Sequence, residues 1–173
     1  MRRILAVLVR NRPGVMARVS SLFSRRGFNL SSVAVGPTDD PDLARMTLVV
    51  DEDEAGVEQV VKQLHKLIDV LKVSDITSDA PIARELALVR VNADSGRRLE
   101  VVQLAEVFGG RVVDVDEESV TLELVGMPDD VEAALRILRG FGLKELVRSG
   151  TLAMARPGRL AAARSAEMEG VRI

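Results

Sequence analysis

Residues 11–30 read "NRPGVMARVSSLFSRRGFNL". Asn11 and Pro13 supply a helix start, with proline tolerated in the first turn. Val15, Met16, Val19, Leu22 and Phe23 follow at i, i+1, i+4, i+7 and i+8. They form one apolar stripe, while Arg18, Ser20, Ser21 and Arg25 face away. Gly27 is the expected C-terminal stop. A helix with one apolar stripe needs a surface to bury it against, and the flanking segments provide one. Before it, Ile4 to Val9 is a nearly continuous apolar run of the kind that forms a buried central strand. After it, Leu30 to Val35 reads as a second strand, closed by Gly36-Pro37.

The pattern continues outward. "TDDPD" is a turn-rich loop, and Ala44 to Val50 reads as a third strand. Val57, Val60, Val61, Leu64 and Ile68 mark a second amphipathic helix, and Val70 to Ile76 a fourth strand. The order β-α-β-β-α-β is the ferredoxin-like arrangement, in which two helices cover one face of a four-stranded antiparallel sheet. The order then returns. Leu86 to Val91 is a strand, and Leu99 to Phe108 a helix with Val101, Leu104, Ala105 and Phe108 on one face. Arg111 to Val115 and Val120 to Val125 form a hairpin around "DEES". Val131, Ala134, Leu135 and Leu138 mark another helix, and Leu143 to Ala153 a last strand interrupted at Ser149-Gly150. The expected fold class is α+β, with two consecutive ferredoxin-like βαββαβ domains. The expected domains are 1–78 and 85–158, with a linker at 79–84 and a flexible tail at 159–173 that is either a frayed helix or disordered. The strand runs Leu5-Ala6-Val7-Leu8 and Val33-Ala34-Val35 are apolar on both faces, so oligomerisation through sheet edges or helices is expected.

Composition excludes several function classes. The 173-residue chain is 47% hydrophobic, enough for a packed core. Its 24 basic and 26 acidic residues leave a net charge of −2, and its aromatics are four phenylalanines. Neither favours nucleic acid, although RNA-recognition folds share this element order. There is no cysteine, hence no disulfide, thiolate metal site or cysteine nucleophile. The apolar run after "MRR" breaks at Arg10 and reads as a first strand, not a signal peptide. No segment has the apolar length of a membrane span. The expected location is cytoplasmic.

Catalytic chemistry finds little support. The lone histidine, His65, has no identifiable partner and reads as a helix residue. Asp39, Asp40 and Asp42 lack the glycine turn and terminal glutamate of an EF-hand loop and read as a solvated hairpin tip. "DEDE" at 51–54 suits the positive end of the second helix. No G-x-S-x-G elbow, G-x-G-x-x-G or P-loop is present, and "FGGR" at 108–111 reads as a helix-to-strand turn. Two readings remain for Asn11-Arg12-Pro13-Gly14-Val15. One is a tight β-to-α turn with a helix cap. The other uses the same atoms: unpaired N–H groups favour a carboxylate, Gly14 leaves the backbone open, and Asn11 offers a donor and an acceptor.

"LVRNRPGVMARVSSLFSRRGFNLSSVAVGPTDD" resembles an ACT domain, a regulatory module that binds small molecules, often amino acids. Together with "QLHKLIDVLKV" and "VRSGTLAMARPG" it resembles the small regulatory subunit of acetohydroxyacid synthase, also called acetolactate synthase, over roughly Met1 to Gly158. The resemblance implies a non-catalytic chain that activates a separate large subunit carrying thiamine diphosphate, magnesium and FAD. It also implies feedback inhibition by valine, or by leucine or isoleucine, in the synthesis of branched-chain amino acids. The first domain would pair with its copy as a homodimer and hold the effector at that interface. By matching motif, one chain would supply Asn11, Pro13, Gly14, Val15 and Met16, and its partner Asn29, Leu30 and Ser31. The second repeat reads "NADSGRRLEV" at the equivalent turn and is assigned no such site. Alternative readings are an ACT-type sensor for a different enzyme, or a small enzyme in its own right.

Overall fold

The computed structural model describes residues 1–157; the expected tail lies outside the described residues. Two compact units are present, one formed by Met1–Ile82 with residues 153–157, the other by Ala83–Leu152. Each is a helix-on-sheet layer built in the β-α-β-β-α-β order that the apolar runs predict.

The first unit contains β1 (Arg2–Arg10), α1 (Val15–Arg26), β2 (Leu30–Pro37), β3 (Leu43–Asp51), α2 (Glu54–Leu64) and β4 (Val70–Asp75). Its sheet runs β2-β3-β1-β4, antiparallel throughout, so β2 is an edge strand. Val15, Val19, Leu22 and Phe23 of α1 meet Val57, Val60 and Leu64 of α2 over Leu5, Val7, Val9, Met46 and Leu48. Met16, at the edge of the predicted stripe, is 39% exposed. The α1 terminus follows the predicted chemistry. Gly27 adopts φ 69°, and the Phe28 amide donates back to the Phe23 carbonyl at 3.1 Å. At the start of α2, Asp53 Oδ1 accepts the Gly56 amide at 2.8 Å.

One local expectation gives way to the structure. Ile68 was expected on the stripe of the second helix, but α2 ends at Leu64 and Ile68 is 87% exposed. The chain tightens there, with the Lys66 amide on the Gln63 carbonyl and the Leu67 amide on the Leu64 carbonyl. The helical period therefore stops before it reaches Ile68. The sheet face away from the helices is partly covered. The segment from Ala153 crosses it: the Ala153 amide donates to Thr47 Oγ1 at 3.3 Å, and Arg45 Nη2 donates to the Ala153 carbonyl at 3.4 Å. Ala6, Thr47 and Val49 of that face are buried.

The second unit contains β5 (Ile82–Asn92), α3 (Arg98–Val107), β6 (Arg111–Val115), β7 (Ser119–Gly126), α4 (Pro128–Leu138) and β8 (Leu143–Arg148), and is followed by the short β9 (Leu152–Met154). Its strands lie in the order β6-β7-β5-β8, the same permutation as in the first unit. Val101, Ala105, Val131, Leu135 and Leu138 cover Ala87, Val89, Val91, Leu122 and Leu124. The interruption expected near Gly150 separates β8 from β9, and Gly150 takes φ 75°.

Candidate functional site

The turn from β1 into α1 is held by backbone bonds from two directions. The Arg10 amide donates to the Asp69 carbonyl at 2.9 Å, and the Asn11 amide to the Asp42 carbonyl at 2.7 Å. Asn11 Nδ2 donates to the Pro41 carbonyl at 3.0 Å, which orients its amide plane while leaving the side chain exposed. Gly14 caps α1 with φ 83°, a conformation that side chains other than glycine rarely adopt. A Cβ built there would also lie 3.3 Å from Arg18 Nη1. No side chain caps the helix and no acid lies in its first turn. The Val15 amide turns back to the Arg12 carbonyl at 3.4 Å, and the Met16 and Ala17 amides that follow it are the ones a helix start offers to water or to a bound anion.

Below the turn, Val15 is buried against the core and Met16 stands half open beside it. Arg18 does more than face solvent. Its Nη2 donates to Asp69 Oδ2, whose residue is only 7% exposed and whose carbonyl holds Arg10. The ion pair therefore clamps the first turn of α1 to the segment that leads into β4. The sequence alone did not mark either residue, because 51 positions separate them.

Asn29, Leu30 and Ser31 lie where β2 begins. Ser31 Oγ donates to Asp51 Oδ2, and Asn29 Nδ2 reaches the same oxygen at 3.5 Å. Leu30 pairs with Val50 and packs, half-buried, on the core. Asp51 is thus a hub for two candidate site residues, whereas the helix-end role expected of "DEDE" belongs to Asp53. His65 is exposed at the end of α2, and Asp40 Oδ1 accepts the Asp42 amide at 2.9 Å inside the hairpin loop. Among the described residues no cluster of three His, Cys, Asp or Glu side chains is arranged to hold a metal. Among them, too, no helix is long and apolar enough to cross a membrane.

The two halves of the candidate site do not meet within one chain. Arg10, before the turn, pairs with Leu43, while Leu30 pairs with Val50, the partner of Arg3. The two positions are seven residue steps apart along β3, about 23 Å of strand. The intervening α1 has 12 residues and spans about 18 Å.

Comparisons with known proteins point in one direction. Residues 5–72 match the family described as AHAS small subunit-like ACT domain, and residues 84–157 the family described as small subunit of acetolactate synthase. A probable acetolactate synthase small subunit of Archaeoglobus fulgidus is 50% identical over 156 residues, 90% of this chain and 98% of that one. The acetolactate synthase small subunit of Mycolicibacterium smegmatis is 47% identical over 152 residues, 88% of this chain and 89% of that one. The crystal structure of the acetolactate synthase small subunit from Thermotoga maritima superimposes with a TM-score of 0.83 at 39% identity. It covers 90% of this chain and 98% of that one.

Proposed function

Because the chain belongs to the acetolactate synthase small-subunit family, with an ACT domain at its N-terminus, we propose that it activates the catalytic large subunit and confers feedback inhibition by valine or another branched-chain amino acid. The effector site is shared by two copies of the chain. One copy supplies Asn11, Pro13, Gly14, Val15 and Met16; the other supplies Asn29, Leu30 and Ser31. Thiamine diphosphate, magnesium and FAD belong to the catalytic partner, and the complex works in the cytoplasm.

The observation that supports this reading is that Asn29 to Ser31 open the edge strand β2, while the far end of β2 leads into the loop that holds Asn11. β2 is the edge strand, and it begins at Leu30 and ends at Pro37. Its end leads through Thr38 to Pro41 and Asp42, the two residues that hold Asn11. If β2 pairs antiparallel with its own copy, each strand's start lies beside the other's end. Asn29 to Ser31 of one chain then approach the Asn11–Met16 turn of the other, twice per dimer.

The chemistry suits a branched amino acid. The amides of Gly14 and Met16 take the carboxylate, with the helix N-terminus favouring negative charge. The amide groups of Asn11 and Asn29 take the ammonium. Met16 and Leu30 offer apolar surface to the side chain. A ligand that touches two chains stabilises the pairing that completes its site, and so biases how the dimer engages the large subunit. Titration calorimetry of the chain with valine, leucine and isoleucine tests the reading, alongside acetolactate formation by the large subunit. Saturable binding of at least one effector, together with activation that the effector reverses, is expected. Absence of both rejects the reading.

A further inference from the structure

We propose that the first unit carries a second small-molecule site on the sheet face away from its helices. It takes a short aliphatic carboxylate whose anionic group lies between Arg45 and Lys72. The strand register builds it. Leu8 of β1 pairs with Arg45 of β3 on one side and with Lys72 of β4 on the other. Directly paired residues share a face, so these three side chains stand in one row. At the usual strand spacing the two cations arise about 10 Å apart, with Leu8 between them. The next row on that face is Thr47, Ala6 and Ser74.

Ala6, Leu8, Arg45, Lys72 and Ser74 of these rows line a cavity of about 230 Å³, to which Ala155 of the returning segment also contributes. Ala6 and Leu8 give it an apolar base, Ser74 a hydroxyl, and Arg45 and Lys72 two exposed positive heads. No acid lines it, and among the described residues neither cation has a carboxylate partner. Arg45 spends one donor on the Ala153 carbonyl and keeps the rest of its fork. Two like charges over an apolar floor are relieved by an anion that also has a hydrocarbon body. The cavity is smaller than the roughly 300–1,000 Å³ of a drug-sized site, which selects a molecule of a few carbons. Because Ala153 and Ala155 belong to the return of the chain, the bound carboxylate ties that segment to the sheet.

The test is an amide-shift titration of the full ¹⁵N-labelled chain with isobutyrate, and in parallel with inorganic phosphate. Saturating shifts at Leu8, Lys72, Ser74 and Ala155 are expected, weakened roughly tenfold or more in an Arg45→Gln/Lys72→Gln variant. Both substituted residues are exposed, and circular dichroism verifies the fold of the variant. Three results overturn the proposal: shifts confined to Asn11–Met16 and Asn29–Ser31, an unchanged response in the double variant, or tighter saturation by phosphate than by isobutyrate.

Discussion

Arg18, on the outer side of α1, forms an ion pair with Asp69, a carboxylate that is almost fully buried. The pair joins the first turn of α1 to the strand entry beside it, so it sets the position of the Gly14 cap as well as supporting the fold. Truncating Arg18 leaves a buried charge without its partner, which for a fully buried pair is severe. Here the guanidinium is half exposed, and screening by water lowers the cost.

Arg18→Ala is therefore expected to lose about 1–2 kcal/mol in urea denaturation, and Arg18→Gln/Asp69→Asn to recover part of it. Valine binding by the folded Arg18→Ala protein should weaken as the turn loosens. Equal stability of single and double variants would show that the pair is a solvated contact only.

Asp51 holds Ser31 and Asn29 through one carboxylate oxygen. Asp51→Ala removes that acceptor from an exposed position, so stability should change by less than about 0.5–1 kcal/mol. Effector affinity should fall by roughly tenfold, the worth of about one charge-assisted hydrogen bond. Calorimetric titration with valine separates the two effects. A large loss of stability with unaltered affinity would reverse this assignment.

Val35 sits on the open edge of the first sheet and is 44% exposed. A lysine there places a charge on the edge that the dimer is proposed to bury. Val35→Lys should sediment as a monomer at concentrations where the parent chain is a dimer, and should lose valine binding with it. A variant that remained dimeric would move the interface to another surface.

In the second unit, Asp116 accepts hydrogen bonds from the Ser119 hydroxyl and from the Glu118 and Ser119 amides. The hydroxyl contributes most, and together they pull its carboxyl down from 3.8 to about 2. A depressed value in the folded state means that the unfolded chain binds more protons in this window, so stability rises with pH across it. The contribution of Asp116 is complete above about 4 and is lost as pH falls through about 2. Ser119→Ala should move the Asp116 midpoint, followed by carboxyl NMR, back toward 3.8. An unmoved midpoint would assign the depression to the backbone amides alone.

The repeated element order was legible because each strand and helix writes its own period in apolar residues. The continuous run around Leu5 and Val7 and the stripe from Val15 to Phe23 need no knowledge of distant chain. Gly27 was legible for the same reason, since a left-handed helix stop shows itself at one position, whereas the helix start was read at Asn11 and Pro13 and the structure puts it at Val15, with Gly14 as the left-handed cap. What stayed hidden is what joins distant residues. The Arg18–Asp69 clamp, the Asp51 hub and the crossing of Thr47 by Ala153 each depend on register between strands, which no local period encodes. Ile68 failed for the opposite reason: its spacing fits the helix, but the chain turns before reaching it. The opposite placement of Asn11 and Asn29 likewise follows only once the β1–β3 and β2–β3 registers are known.

Assembly of each effector site from two chains can be read directly in mixed dimers. Gly14→Asp and Asn29→Ala chains are each defective alone, provided both are shown to be folded. In a heterodimer of the two, one site carries both lesions and the other carries neither. After a 1:1 mixture is dissociated and reassociated, calorimetry should recover about a quarter of the parental valine sites, since half the dimers are mixed and each has one intact site. If mixing the two variants recovers no binding, the site lies within a single chain and the account is wrong.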